Sequence, residues 1–209
     1  MENAIEHRKL FVRQRKSNWL RALGVVLYHL GLSLRDTSLV LDGIGGASHE
    51  TVRKWYARCR NIFTVETRSR RAIAVDETKI KIRGEWMFLW AAIDIDSWEI
   101  LFVWVSQGRS GLEAISFLRK VLERCEGPPM VYVDRAPWYR WALERLGVPW
   151  EHRTFGPRNP VEQWFGILKQ RIKRFYTRWP HNADTKRVND WLRSFVSCYH
   201  LKRFGGGLS

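Results

Sequence analysis

The sequence predicts an α/β fold: a mixed sheet of three antiparallel strands followed by parallel strands, helices on both faces, and an all-α module in front. Three observations carry that expectation. Between residues 71 and 107, β-branched and aromatic runs are separated by two-residue turns, the pattern of an antiparallel meander. After residue 110, helical periodicities alternate with short apolar runs, and a strand reached through a helical crossover runs parallel to its neighbour. Before residue 68 the apolar residues recur at helical spacing, interrupted by glycine.

The N-terminal module reads as an apolar helix over about 18–30, a short helix opening at Ser33, a Gly45-Gly46 turn and a third helix capped at Ser48. That order is the helix-turn-helix pattern. In its last helix Val52, Trp55 and Tyr56 fall at core spacing, while His49, Arg53 and Lys54 share the other face, where a recognition helix meets bases and phosphates. The three strands are RAIAVDETKIKIR, EWMFLWAAIDID and WEILFVWVSQ, divided by Arg83-Gly84 and Asp96-Ser97. GLEAISFLRKVLERCE is a helix ended by Gly127-Pro128-Pro129, PMVYVD a buried strand, APWYRWALERLG a helix ended by Gly147, and VPWEHRTF a fifth strand. Two helices close the chain, one beginning near Asn159 and one spanning DTKRVNDWLRSFVSCYHLKRF. This reading divides the chain into residues 1–68 and residues 69–209.

With 45% apolar residues, 12 Trp and 10 Phe, the chain has material for a packed core, which excludes intrinsic disorder as its default state. No run of 18 apolar residues is present, so a cytoplasmic protein without a membrane partner is expected. Cys59, Cys125 and Cys198 lack metal-ligand spacing and read as reduced thiols. The net charge of +15 is uneven: residues 1–71 carry +8, residues 72–155 carry −1 and residues 156–209 carry +8. Basic ends on a neutral middle suit a polyanion such as double-stranded DNA, because each phosphate neutralised releases counterions.

Two carboxylates interrupt strands that are otherwise apolar. Asp76 follows AIAV in the first strand and Asp134 follows MVYV at the end of the fourth. If those strands are neighbours, the two side chains lie side by side, and like charges at that range require a cation. A third carboxylate would complete an oxygen-ligand site for a hard divalent metal. Glu162 is the candidate, the one acidic residue between Arg158 and Tyr176. It also fits a capping box, with Asn159 as N-cap, Pro160 at the first helical position and Glu162 at the third. At 100° per residue Glu162, Phe165, Lys169 and Lys173 share one face, whereas Val161, Trp164, Leu168 and Ile172 form the apolar stripe.

Three carboxylates on a first strand, at the end of a fourth and on a late helix resemble the RNase H-like fold of DDE transposases and retroviral-type integrases. The closer resemblance is to prokaryotic transposases of the insertion-sequence-six family. It rests on VDETKIKIRGEWMFLWAAIDIDS around Asp76, RSGLEAISFLRKVL, VDRAPWY around Asp134 and HRTFGPRNPVEQWFGILKQRIKRF around Glu162. The Asp134 to Glu162 connection, 27 residues, is shorter than that family usually has. The resemblance implies that Asp76, Asp134 and Glu162 are catalytic and bind two Mg²⁺ or Mn²⁺ ions, and that element ends are nicked and joined to target DNA. It further implies that the helix-turn-helix selects terminal inverted repeats, that Lys169, Arg171, Lys173 and Arg174 grip the DNA backbone, and that the working form is a homodimer or larger, acting at the nucleoid. A transposase-derived DNA-binding factor with silent chemistry and a nuclease of the same fold are the competing expectations.

Other polar and aromatic residues have plainer readings. Glu77 points to the strand face opposite Asp76 and is expected at the surface or facing DNA, not as a metal ligand. Asp94 and Asp96 read as turn residues, and His152 either approaches the site or packs. Trp138 and Trp164, beside the acidic positions, are the two aromatic candidates for contact with DNA.

Overall fold

The computed structural model describes residues 1–2, 6, 15–153, 156–173 and 183–204. Packing divides them into two compact units, one containing the described residues up to Thr64 together with those from Asp190 onward, the other those from Val65 to Asn189.

The first unit begins with α1 (Asn18–Leu30), α2 (Leu34–Asp42) and α3 (His49–Arg58). Each opens on a serine whose hydroxyl accepts from a backbone N–H of the first turn: Ser17 from Leu20, Ser33 from Asp36 and Ser48 from Thr51. Such caps satisfy amides that have no partner inside the helix. Val25, Leu41, Val52, Trp55 and Tyr56 form the buried centre. Gly24 permits it, since a Cβ there would stand 3.0 Å from Leu41 and 3.2 Å from the Trp55 ring. Between α2 and α3 the chain turns through Gly45 (φ 131°) and Gly46 (φ 64°), angles that side chains disfavour.

The sequence-based boundary assigned the whole last helix to the second region. That helix, α7 (Thr185–Phe204), passes from one unit to the other, and its C-terminal part packs on the first. Trp191 donates to the Tyr28 hydroxyl (3.2 Å), Ser197 donates to the Arg60 carbonyl (3.2 Å), and Cys198 sits in the α1–α3 core. The free thiols of Cys59 and Cys198 are both buried there.

The second unit holds a five-stranded sheet in the order β3-β2-β1-β4-β5. Its strands are β1 (Ala72–Ile82), β2 (Glu85–Asp94), β3 (Ile100–Ser106), β4 (Met130–Val133) and β5 (Trp150–His152). The first three pair antiparallel, and β4 and β5 add in parallel after α4 (Gly111–Leu122) and α5 (Pro137–Leu146). The β1–β2 turn has Arg83 and Gly84 both at positive φ, as tight two-residue hairpins demand. One face of the sheet, through Ile73, Val75, Trp90 and Leu101, packs on Phe117, Leu118, Tyr139 and Leu143 of α4 and α5. The opposite face of β1 and β2 meets α6 (Asn159–Lys173).

A buried ionic knot closes the foot of the sheet. Arg70 pairs with Asp94 (2.7 Å) and Glu99 (2.8 Å) and donates to the carbonyls of Glu66 and Arg124. Asp94 also accepts from the backbone of Asp96 and Ser97, which is the turn role the sequence predicts.

Candidate active site

Strand register brings the two aspartates together. Ala74 is level with Tyr132 in the parallel β1–β4 pair, and the same offset carried two residues further sets Asp76 beside Asp134, just past the end of β4. Asp134 accepts from the Ala136 amide at 2.9 Å, and Asp76 accepts from the Glu77 amide at 2.9 Å. Burial pushes the Asp76 carboxyl up to about 6, against the pull of the Arg158 guanidinium and with further upward push from Glu77 and Asp134. A carboxylate costly to ionise in its own setting is one that a cation stabilises strongly.

The cation beside it is Arg158, which is 6% exposed. Its Nη2 lies 2.8 Å from Asp76 Oδ2, and its Nη1 lies 4.0 Å from Glu162 Oε1 and 3.4 Å from the Arg153 carbonyl. Asp76 and Glu162 thus converge on one guanidinium. Among the described residues, no three His, Cys, Asp or Glu side chains are close enough to hold a metal ion between them. The sequence reading missed Arg158; the available signal was its position four residues before Glu162, one helical turn away.

The capping box is not formed. Asn159 is the first helical residue, its Oδ1 accepts from the Gly156 amide (3.2 Å), and the Glu162 amide bonds the Arg158 carbonyl (3.3 Å). The Glu162 side chain, 46% exposed, is therefore available to other partners. Lys169 and Lys173 are exposed on the same helix. Arg171 is not: it is 5% exposed, because three residues beyond Leu168 and seven beyond Trp164 it lies on the buried stripe, and this corrects its assignment as a backbone-gripping side chain. Trp164, 1% exposed, is likewise a core residue with no face for DNA. Phe165 is also buried. Arg174 lies outside the described residues. His152, half-buried, ends β5 level with Val133, the residue before Asp134.

Glu77 overturns another expectation. It does face away from Asp76, yet its side chain is only 4% exposed. It accepts from the Tyr139 hydroxyl and pairs with Arg109 at 3.2 Å. Burial raises its pKa, opposed by the bond from Tyr139. The face opposite the aspartate is covered by α4 and α5, which a strand pattern by itself does not show.

In the first unit, His49, Arg53 and Lys54 are all exposed on α3. Arg53 forms a two-pronged pair with Glu50 (2.8 and 2.5 Å).

Comparison with known proteins agrees with this architecture. Residues 70–194 match the family model DDE_Tnp_IS240, a DDE domain. The chain is 40% identical over 201 residues to MJ0017, an uncharacterized protein of Methanocaldococcus jannaschii, covering 96% of this chain and 94% of that one. It is 30% identical over 131 residues to the Staphylococcus aureus transposase for insertion sequence element IS257 in transposon Tn4003, covering 60% of this chain and 58% of the transposase. In structure it resembles a chain of the simian T-cell lymphotropic virus intasome in complex with PP2A regulatory subunit B56 gamma. That match has a TM-score of 0.52 at 17% identity over 85% of this chain and 69% of that one, a likeness of fold. The chain belongs to the DDE transposase family of insertion sequences that this domain model describes.

Proposed function

We propose that the protein is a DNA transposase that binds the terminal inverted repeats of its element, nicks their 3′ ends and joins them to target DNA. The observation that carries the reading is the parallel pairing of β1 with β4, whose register carried two residues further brings Asp134 level with Asp76, together with the approach of Asp76 and Glu162 to one guanidinium.

The donors fit hard divalent ions: all three are carboxylates, and the raised Asp76 carboxyl together with the buried guanidinium beside it marks a place that calls for positive charge. Asp76, Asp134 and Glu162 would hold two Mg²⁺ or Mn²⁺ ions, whose chemistry is to activate an attacking oxygen and stabilise the leaving one. The chain's own residues supply the rest. Lys169 and Lys173 offer phosphate contacts along α6, and a phosphate held there lies about two to three helical turns from Glu162. The helical region 1–68 would read the repeats through His49, Arg53 and Lys54 of α3. Two ends must be held for joining, so the working form is a homodimer or larger, in the cytoplasm at the nucleoid. No helix among the described residues is long and apolar enough to cross a membrane.

The Arg158–Asp76 pair also favours a second reading, a DNA-binding factor whose metal site is closed by its own arginine. One assay separates the two. Labelled duplexes carrying the DNA that flanks the gene are incubated with Mg²⁺ or Mn²⁺ and either the wild type or Glu162→Gln. The transposase reading expects cutting and joining by the wild type, and equal binding without either step by the variant. Binding by both with cutting by neither would establish the factor.

A further inference from the structure

On the sheet face opposite α6, a second cluster of charge has no part in the three-carboxylate site. Arg109, in the loop between β3 and α4, reaches back over β1 and β2. Its Cζ lies 4.8 Å from the centre of the Phe88 ring and 4.2 Å from that of Trp138. Lys79, two residues beyond Glu77 and on the same strand face, places its Nζ 5.9 Å from the centre of the same Phe88 ring. Two cations therefore converge on one aromatic ring with Glu77 as the acidic partner of Arg109, and Glu77 is already bonded to the Tyr139 hydroxyl.

The geometry points to Arg109 and Lys79 as a binding site for a backbone phosphate of the DNA strand, built on Phe88, Trp138 and the Glu77–Tyr139 pair. Three physical features support it. A guanidinium over two rings and tied to a buried carboxylate has lost its rotamer freedom before any ligand arrives, so binding costs little further entropy. Of its five N–H groups, one is committed to Glu77 at 3.2 Å, and the side chain remains 35% exposed. The remaining fork matches the paired oxygens of a phosphodiester. The local charge is also unbalanced, with Lys79 exposed and lacking an acidic partner among the described residues, which leaves a net attraction for an anion.

Placement gives the site its purpose. Glu77 directly follows Asp76 on β1, and Trp138, in the first turn of α5, lies four residues after Asp134, so the platform adjoins both aspartates along the chain. An open cleft of about 490 Å³ lined by Ser110, Gly111, Leu112, Pro137, Trp138 and Trp141 begins at the Trp138 ring and leaves room for the nucleotide whose phosphate is held. The inference rests on the DNA-processing reading above.

The test is the salt dependence of duplex binding in EDTA, which needs no metal and no cleavage. The double variant Glu77→Gln, Arg109→Gln removes both charges together, leaving no buried carboxylate unpaired and a glutamine carbonyl for Tyr139. It is compared with the wild type and with Lys79→Gln. We expect the double variant to melt close to the wild type, with the slope of log affinity against log salt smaller by about one. Lys79→Gln should lower the slope in the same direction. If Arg109 only neutralises Glu77, the double variant binds with the wild-type slope and affinity, and the assignment falls. A wild type that binds no duplex at any salt overturns the DNA-processing reading itself, a result visible before any variant is compared. Should the double variant fail to fold, Arg109→Lys decides: loss of affinity at unchanged charge supports the fork, and wild-type affinity overturns it.

Discussion

Arg158 holds Asp76 at 2.8 Å and comes within 4.0 Å of Glu162, so a single buried guanidinium stands between two carboxylates of the proposed metal site. The arrangement satisfies Asp76 without a metal. It also makes the guanidinium a competitor for any divalent ion that needs the same oxygen.

Arg158→Gln is accordingly expected to do two things. Without metal the variant should be about 3 kcal/mol less stable, because a largely buried carboxylate loses its counterion. With Mg²⁺ or Mn²⁺ its melting temperature should rise further than that of the wild type, since bound metal restores the missing charge. Thermal melts with and without metal measure both effects. Identical metal-induced rises in the two proteins would show that Arg158 does not compete.

Glu162→Gln should barely alter stability, within about 0.5 kcal/mol, since the side chain is exposed and takes no part in a cap. A loss near 1 kcal/mol on chemical denaturation would instead restore the capping role that its sequence position suggests.

Arg70→Met is expected to be costly, about 3–5 kcal/mol, because it leaves the buried Asp94 without its guanidinium and Glu99 with only the half-exposed Arg68 at 3.0 Å. Urea denaturation at neutral pH reads this directly. The loss should shrink at acid pH, where the Asp94 carboxyl, held low against its burial by backbone N–H groups and by Arg70 in the wild type, takes up a proton.

His200 predicts a pH dependence of stability. It is fully buried, 4.3 Å from the Phe63 ring and 5.6 Å from that of Phe204, and burial pushes its pKa down to about 3. The folded chain keeps it neutral, while the unfolded chain takes up a proton below about 6.5. Its contribution is therefore complete above that pH and is lost as pH falls from 6.5 toward 3, at about 1.4 kcal/mol per unit. Between pH 7 and pH 5 the wild type should lose about 2 kcal/mol more than His200→Phe. Parallel curves for the two proteins would contradict the assignment.

The helices and strands were legible because their signals are local. Ser33 and Ser48 cap the helices they precede, the Arg83-Gly84 turn joins the two strands it divides, and the strands AIAV and MVYV are parallel neighbours. Side-chain surroundings were harder to read. Arg171 looks like one more basic residue on a basic helix, although its spacing from Trp164 and Leu168 already sets it on the apolar stripe that the structure buries. Glu77 obeys strand alternation, but whether the far face meets solvent or helices is not written in the strand. The Asn159 to Glu162 spacing fits a capping box perfectly well, yet the helix begins at Asn159 and the box has no N-cap to close on.

The sequence by itself determined the order of elements and the charge division between ends and middle, and it singled out three candidate carboxylates, since each follows from periodicity, capping or composition within a few residues. Only the tertiary structure decided that Arg158 lies against Asp76, that Arg109 and Lys79 meet over Phe88, and that the end of the last helix packs on the N-terminal unit. Those contacts join residues far apart in the chain. Electrostatic and packing energies depend on distance in space, which no local pattern encodes.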